Sequence, residues 1–313
     1  MRALLTDLKA TTMGYARSAA VVAQKRPLTR VDKRGSWLRG HLAPTTALPV
    51  VTFLPQTENI AKRLSGGLLH VDRTIRIEVY DKGLVLDDVK RSVLELVEDV
   101  REAISSNPWI HASDPTKRKT VFTYELGPVD YGEIEPLGKG VVLRGVFNAV
   151  FRSKETIGPR TLNQTYKTTE TNNLTDQIVQ TLKSPSGAFA NQKLAVVRKI
   201  DSFEQGVSLP TPAVGIYPVN EAIDKFKTSR EAQLRTFEVW VVTKLLAKEA
   251  ALDQALDIFE GVKQALSKNF QFGGLAANSE IGTIGFGSDE KGLVYVIRIP
   301  LIVQSFERIT YAQ

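Results

Sequence analysis

The chain has 313 residues, 42% hydrophobic and 24% charged, an ordinary composition for folded protein and a length suited to about two domains. It has no cysteine, which excludes disulfides, thiolate zinc sites and cysteine nucleophiles, and its histidines, His41, His70 and His111, are not at metal-ligand spacing. The net charge of +7 sits in one place: residues 1–40 carry nine basic groups against Asp7 and Asp32, while the other 273 residues carry 32 basic and 32 acidic groups.

The first segment, residues 1–46, therefore reads as including a basic N-terminal arm. Its opening Met-Arg-Ala-Leu-Leu is faintly like a targeting peptide, but Asp7 and Lys9 interrupt any apolar stretch. Arg26, Arg30, Lys33, Arg34 and Arg39 are its candidate contacts to nucleic acid or to an acidic protein surface. The alternative is a solvated, partly unfolded terminus. Next, Ile75, Ile77 and Val79 alternate with Arg76, Glu78 and Tyr80, the pattern of a half-buried strand. A long amphipathic helix follows, with Val89, Val93, Leu96, Val97, Val100 and Ile104 on one face. Asp87 or Asp88 is its expected cap, and Asn107-Pro108 its stop. Lys117, Arg118 and Lys119 form a loop that is either a solvated hairpin tip or a further contact to DNA or a lumen. Strands are expected near 120–131 and 140–151, and a polar linker over 153–172.

The same order then recurs. Leu174–Leu182 reads as a short helix, Leu194–Ile200 as a strand and Pro212–Pro218 as an extended segment bracketed by prolines. Thr236–Val242 reads as a strand. A second amphipathic helix carries Leu252, Leu256, Phe259, Val262 and Leu266, with Gly273-Gly274 soon after. Strands near 280–287 and 293–304 close the chain. The recurrence extends to residue identities. Residues 73–107 match 235–269 at an offset of 162 in eleven of 35 positions, where chance gives about two. At offset 163, Pro49, Val51, Pro55, Glu58, Ile60 and Lys62 match Pro212, Val214, Pro218, Glu221, Ile223 and Lys225. Offset 155 relates Glu125-Leu126-Gly127 to Glu280-Ile281-Gly282, and offset 152 relates Lys139-Gly140 to Lys291-Gly292. Falling offsets mean short deletions in loops. The expected organisation is an internal duplication: a first α/β repeat over 1–152 and a second over 173–313, each an α+β unit with a mixed β-sheet covered by helices.

Catalytic motifs are absent. The chain has no nucleophile elbow, HExxH, EF-hand loop or P-loop. Gly282-x-x-Gly285-x-Gly287 lies between strands and reads as a turn or bulge, not a dinucleotide fingerprint. Glu125 and Glu280 recur without a partner base, so a turn or interface contact outweighs acid/base work. Arg73 and Arg235 recur beside Glu58 and Glu221, as ion pairs or subunit contacts. Trp109 and Trp240 read as packing residues. The expectation is no enzyme and no cofactor or metal. No stretch reads as membrane-spanning: Leu293–Val303 is too short and is interrupted by Arg298 and Pro300.

The repeat unit resembles the tail-terminator and neck (head-tail joining) proteins of long-tailed bacteriophages. The resemblance is carried by Pro212-x-Val214, the Leu246–Ser267 helix and the Lys291-Gly292 step into the closing strand, and in the first copy by Pro49-x-Val51, Leu84–Ser105 and Lys139-Gly140. It covers about 130 residues of each copy; family members are usually single units. It implies a structural virion protein, a homo-oligomeric ring of three or six chains that ends the tail tube and meets the head-side connector. It further implies a virion location and contact with DNA passing through the lumen. Alternatives are a nucleic-acid-binding protein that uses the basic arm, or another tail or baseplate structural protein.

Overall fold

A computed structural model describes residues 1–34, 36–42, 46–64, 68–107, 121–134, 140–156, 171–202, 210–224, 230–245, 247–289 and 293–308. Two compact units divide it, the first built on Met1–Glu58 and His70–Glu155, the second on Thr156–Asp289 and Leu293–Gln313 together with the segment Asn59–Leu69.

In the first unit, helices α1 (Arg2–Ala16), α2 (Ala19–Ala23) and α3 (Leu28–Arg34) lead into a short strand β1 (Trp37–Arg39). Then come β2 (Val50–Leu64), β3 (Leu68–Gly83), the long helix α4 (Leu86–Ser105), β4 (Val121–Ile134) and β5 (Val141–Thr156). The sheet order is β4-β5-β3-β2, with β1 parallel to β2 and β4 antiparallel to β5. The unit is α+β: helices α1 and α3 pack on α4 and on each other.

The second unit follows the same order. Helices α5 (Thr171–Lys183) and α6 (Ala188–Leu194) precede β6 (Lys199–Ser202), β7 (Ala213–Asp224), β8 (Arg230–Lys244) and the long helix α7 (Lys248–Lys268). Strands β9 (Asn278–Ile281), β10 (Ile284–Ser288) and β11 (Val294–Arg308) finish it. Here β11 pairs antiparallel with β8, β9 and β10, β7 antiparallel with β8, and β6 parallel with β7. Helices α5 and α6 pack on α7.

The core follows the apolar periodicities. All six stripe residues of α4 and all five of α7 are buried. On β3, Ile75, Ile77 and Val79 are fully buried, as are Phe237, Val239 and Val241 on β8. Each such side chain stabilises by about 1.5–3 kcal/mol through removal from water. Helix-to-sheet spacing in the first unit depends on Gly145, where a Cβ would lie 2.6 Å from a Val97 methyl and 3.2 Å from one of Val93. At Gly261 a Cβ would come within 2.8 Å of the Lys193 Cβ, so α6 lies close on α7 there.

Prolines interrupt the ladders where a missing donor does least harm. Pro218 sits at a register shift in β7, and Pro128 lies within the shift between Leu126 and Val129 in β4. Pro300 has no N–H, and the strand beside it breaks into β9 and β10 opposite that point, with Gly282 N–H donating to Pro300 O at 2.8 Å.

Several sequence expectations need correction. The first 34 residues are not a detached arm or an unfolded terminus: Leu4, Leu5, Leu8, Val21, Leu28 and Val31 are buried. Leu5 on α1 and Leu174 on α5 are both fully buried, so this segment is core-forming helix with a basic outer side. Of the expected strand over Leu194–Ile200 only Lys199 and Ile200 fall in β6; Leu194 ends α6, and 195–198 form the turn between the two elements. Residues Ser153–Thr156 of the expected linker belong to β5, and Thr171 opens α5; 157–170 lie outside the described residues. The N-cap of α4 is Val85, with Asp87 and Asp88 in the first turn. Glu78 and Tyr80, expected on a solvated face, are buried, because Tyr80 donates to Glu78 and Arg76 pairs with it at 2.8 Å.

Leu96 is fully buried and Leu94 is 45% exposed. Leu96→Ala therefore costs about 2–5 kcal/mol and Leu94→Ala within about 0.5 kcal/mol. Chemical denaturation of the two variants side by side checks this, and equal losses refute the assigned α4 face.

Candidate functional site

The recurring arginines sit at the centre of two matching polar clusters. In the first unit, Arg73 on β3 is buried. Its Nε donates to Glu58 Oε2 at 2.9 Å and its Nη1 to Ser153 Oγ at 2.6 Å, and its Nη2 donates to Glu155. Ser153 Oγ in turn donates to Val71 O at 3.4 Å. In the second unit, Arg235 on β8 donates from Nη1 to Ser305 Oγ at 2.8 Å and from Nη2 to Glu221 Oε1 at 3.1 Å and to Gln233. Each cluster ties the three strands β2, β3 and β5, or β7, β8 and β11.

The expected pairs Glu58–Arg73 and Glu221–Arg235 are thus brought together. Each has a third member, Ser153 or Ser305, that sequence reasoning missed. The signal was available: the two serines stand at offset 152, the offset that relates Lys139-Gly140 to Lys291-Gly292. The same offset relates the partners of the recurring glutamates, since Glu125 faces Val150 and Glu280 faces Ile302. Glu125 is exposed and pairs with Arg152 at 3.6 Å; Glu280 is exposed on β9. Neither is joined to a second carboxylate by a described contact.

The chemistry of these clusters is cohesive. A guanidinium is protonated at all working pH values, so it gives the serine no base and cannot activate it as a nucleophile. It does supply five donors in a fixed fork, enough to satisfy a buried carboxylate and hydroxyl at once. Glu58 is fully buried, whereas the Glu221 side chain is 41% exposed and borders an open cavity of about 210 Å³ beside the β7 bulge.

The basic residues of the first segment are mostly engaged within their own unit. Arg26 binds the buried Asp99, donates to Glu102 at 2.7 Å and to the Tyr15 hydroxyl at 2.8 Å. Arg30 reaches Asp81 at 3.2 Å and also Ser92. Arg39 donates to Thr6 at 3.1 Å and Arg17 pairs with Asp32 at 3.0 Å. Lys33 is exposed, and Arg34 ends α3. Lys117, Arg118, Lys119, Trp109 and His111 lie outside the described residues. Asp99 was missed because it stands inside the apolar stripe of α4, and its partners come from the first segment. Burial pushes its carboxyl above the usual range, opposed by the Leu28 N–H at 3.2 Å and by Arg26. The Arg26 hydrogen bond, with Tyr15 second, holds Glu102 below the usual range. Burial pushes the Tyr15 hydroxyl up to about 12, and its hydrogen bond with Glu102 adds to the rise.

On the second unit, Trp240 packs 5.0 Å from the Tyr217 ring, lies 4.8 Å from the Arg298 guanidinium and donates to Glu238 at 2.7 Å. Among the described residues no group of three or more His, Asp or Glu is placed to hold a metal ion, and no helix is long and apolar enough to cross a membrane.

The chain matches no protein-family model and no curated protein. Among solved structures, it is similar to a chain from the virion of a native gene transfer agent (GTA) particle. That likeness covers 41% of this chain and 91% of the other, at 15% identity and a TM-score of 0.26.

Two outcomes follow from these geometries. Arg73→Met removes the guanidinium from the fully buried Glu58, leaving it the more distant Met1 ammonium at 3.9 Å, and destabilises by up to about 3–5 kcal/mol. Glu221→Gln, at a half-exposed carboxylate, costs within about 1 kcal/mol. Denaturant titration of both variants tests the contrast. The second outcome concerns alkaline pH. Tyr15 ionises near 10.0 in the unfolded chain and at about 12 in the folded one, so its share of stability is whole below pH 10 and is lost as pH rises towards 12. Tyr15→Phe flattens the fall in stability across that window; an unchanged slope refutes the assignment.

Proposed function

We propose that this protein is a structural virion assembly protein, whose chains close into a ring that terminates a tail tube and joins it to the head-side connector. The reading rests on the resemblance of both sequence copies to tail-terminator and neck proteins. The observation that carries it further is the pair of like-built units, each stapled by its own Arg–Glu–Ser cluster. We read them as an internal duplication, first repeat 1–152 and second repeat 173–313. A chain with two like units supplies two quasi-equivalent positions in a ring, so three chains give a pseudo-sixfold ring and six give a larger or two-tiered one. The clusters fit this role because a ring subunit must transmit load through its sheets without strand slippage, and a three-strand tie resists slippage.

Native mass spectrometry with negative-stain imaging tests the reading. A closed ring of three or six chains with a central hole is the expected result. A protein that stays monomeric both alone and with tail-tube protein overturns it. Filter binding to duplex DNA at 50 and 200 mM salt runs alongside: tight, steeply salt-dependent binding by a monomer would put nucleic-acid binding in its place.

A further inference from the structure

The first unit carries an exposed apolar knob. Leu84 and Val85, at the turn between β3 and α4, are 83% and 55% exposed. Isolated exposed leucines are common, but two adjacent large apolar side chains standing out at a turn form a projection that water disfavours. Asp87 and Asp88 follow immediately, both exposed and neither in an ion pair among the described residues.

The second unit carries a socket of opposite character. A cavity of about 480 Å³ opens where β7 begins and β8 ends, with Val196, Leu245 and Leu293 among its walls. Arg198 and Lys244 flank it, both exposed and neither in an ion pair among the described residues. Gln254 Oε1, on α7, lines it and is buried without a hydrogen-bond partner.

The first unit fills the matching place from within. At offset 162, Lys244 and Gln254 face Lys82 and Ser92. There Arg30 from α3 reaches in to Ser92 and Asp81. In the second unit the nearest helix cation, Lys193 on α6, pairs with Asp257 at 2.6 Å, one turn further along α7. The socket is left with cations, apolar walls and an unmet acceptor.

We propose that the Leu84–Asp88 knob of one chain seats in the Arg198–Lys244 socket of a second copy. Leucine and valine meet the apolar walls, and the two aspartates meet the two cations. The contact is heterologous, since knob and socket are different surfaces, and such contacts repeat around a closed ring. This deepens the ring reading above and rests on it.

Charge reversal with mass photometry tests it. Arg198→Glu with Lys244→Glu, and separately Asp87→Lys with Asp88→Lys, are each expected to weaken self-association at least tenfold. An equimolar mixture of the two variants is expected to restore association as open or even-numbered assemblies, because each reversed knob finds a reversed socket and each native knob a native one, whereas a closed ring of three cannot alternate the two. Leu84→Ser, at a side chain that contributes little to the fold, is expected to weaken association with unchanged thermal melting, and it carries the test if a charge variant fails to fold. Unchanged association of the folded variants overturns this contact and leaves the ring standing. A mixture that stays dissociated also overturns it, including the case where all four reversals in one chain restore the native behaviour, since that contact would lie within a chain. Wild-type protein that never associates overturns both readings.

Discussion

Burying an arginine obliges the chain to meet five N–H donors and one positive charge within a space closed to water. Arg73 answers that demand from Nε, Nη1 and Nη2, and Arg235 from Nη1 and Nη2, with partners that include strands far apart in sequence. The obligation fixes register. Sliding β5 by one residue past β3 would turn Ser153 to the opposite face and strand the guanidinium. The same holds for Ser305 on β11. A purely apolar sheet of this length would tolerate slippage more easily, because Val and Ile are interchangeable in their contacts. The gain lies in specificity; such a cluster is weak as net stabilisation, since desolvation offsets most of the attraction.

The helices follow from the same accounting applied to apolar surface. Helices α4 and α7 each present one unbroken stripe, and the shorter helices cover what the stripe leaves open. The two units differ in how they finish that cover. The first uses polar ties, Arg26 to Asp99 and Arg30 to Asp81. The second has Gly261 where the first has Asp99, and α6 comes close to α7 there. At this position the first unit uses an ion pair and the second close packing, while the Lys193–Asp257 pair ties α6 to α7 beside it. The second unit also has an open cavity beside β8, and the first has exposed apolar side chains at the start of α4.

The long strands and helices were legible in the chain. Alternation over Ile75–Tyr80 and the period of Val89–Ile104 each suit one kind of element, and their recurrence at a near-constant offset revealed the second set. The Glu58–Arg73 and Glu221–Arg235 pairs were visible as coincidences of identity. The charge asymmetry was visible too, but its meaning was not. Nine basic groups in forty residues suggest an arm reaching outward, whereas Arg26 and Arg30 turn inward to acids 50 or more residues away in the chain. Nothing local in Asp81 or Asp99 marks them as partners for those arginines.

Composition and periodicity by themselves determined the fold class, the long helices and the central strands, since each depends on residues within one or two turns, and direct comparison showed the recurring identities. Tertiary structure alone decided which charges are paired, which serine completes each cluster, and which leucines of a repeated helix are covered. Leu94 and Leu256 make the point: they match at offset 162, yet one is 45% exposed and the other fully buried. Burial is a property of what packs against a residue, and that partner is chosen by the whole chain rather than by its neighbours in sequence.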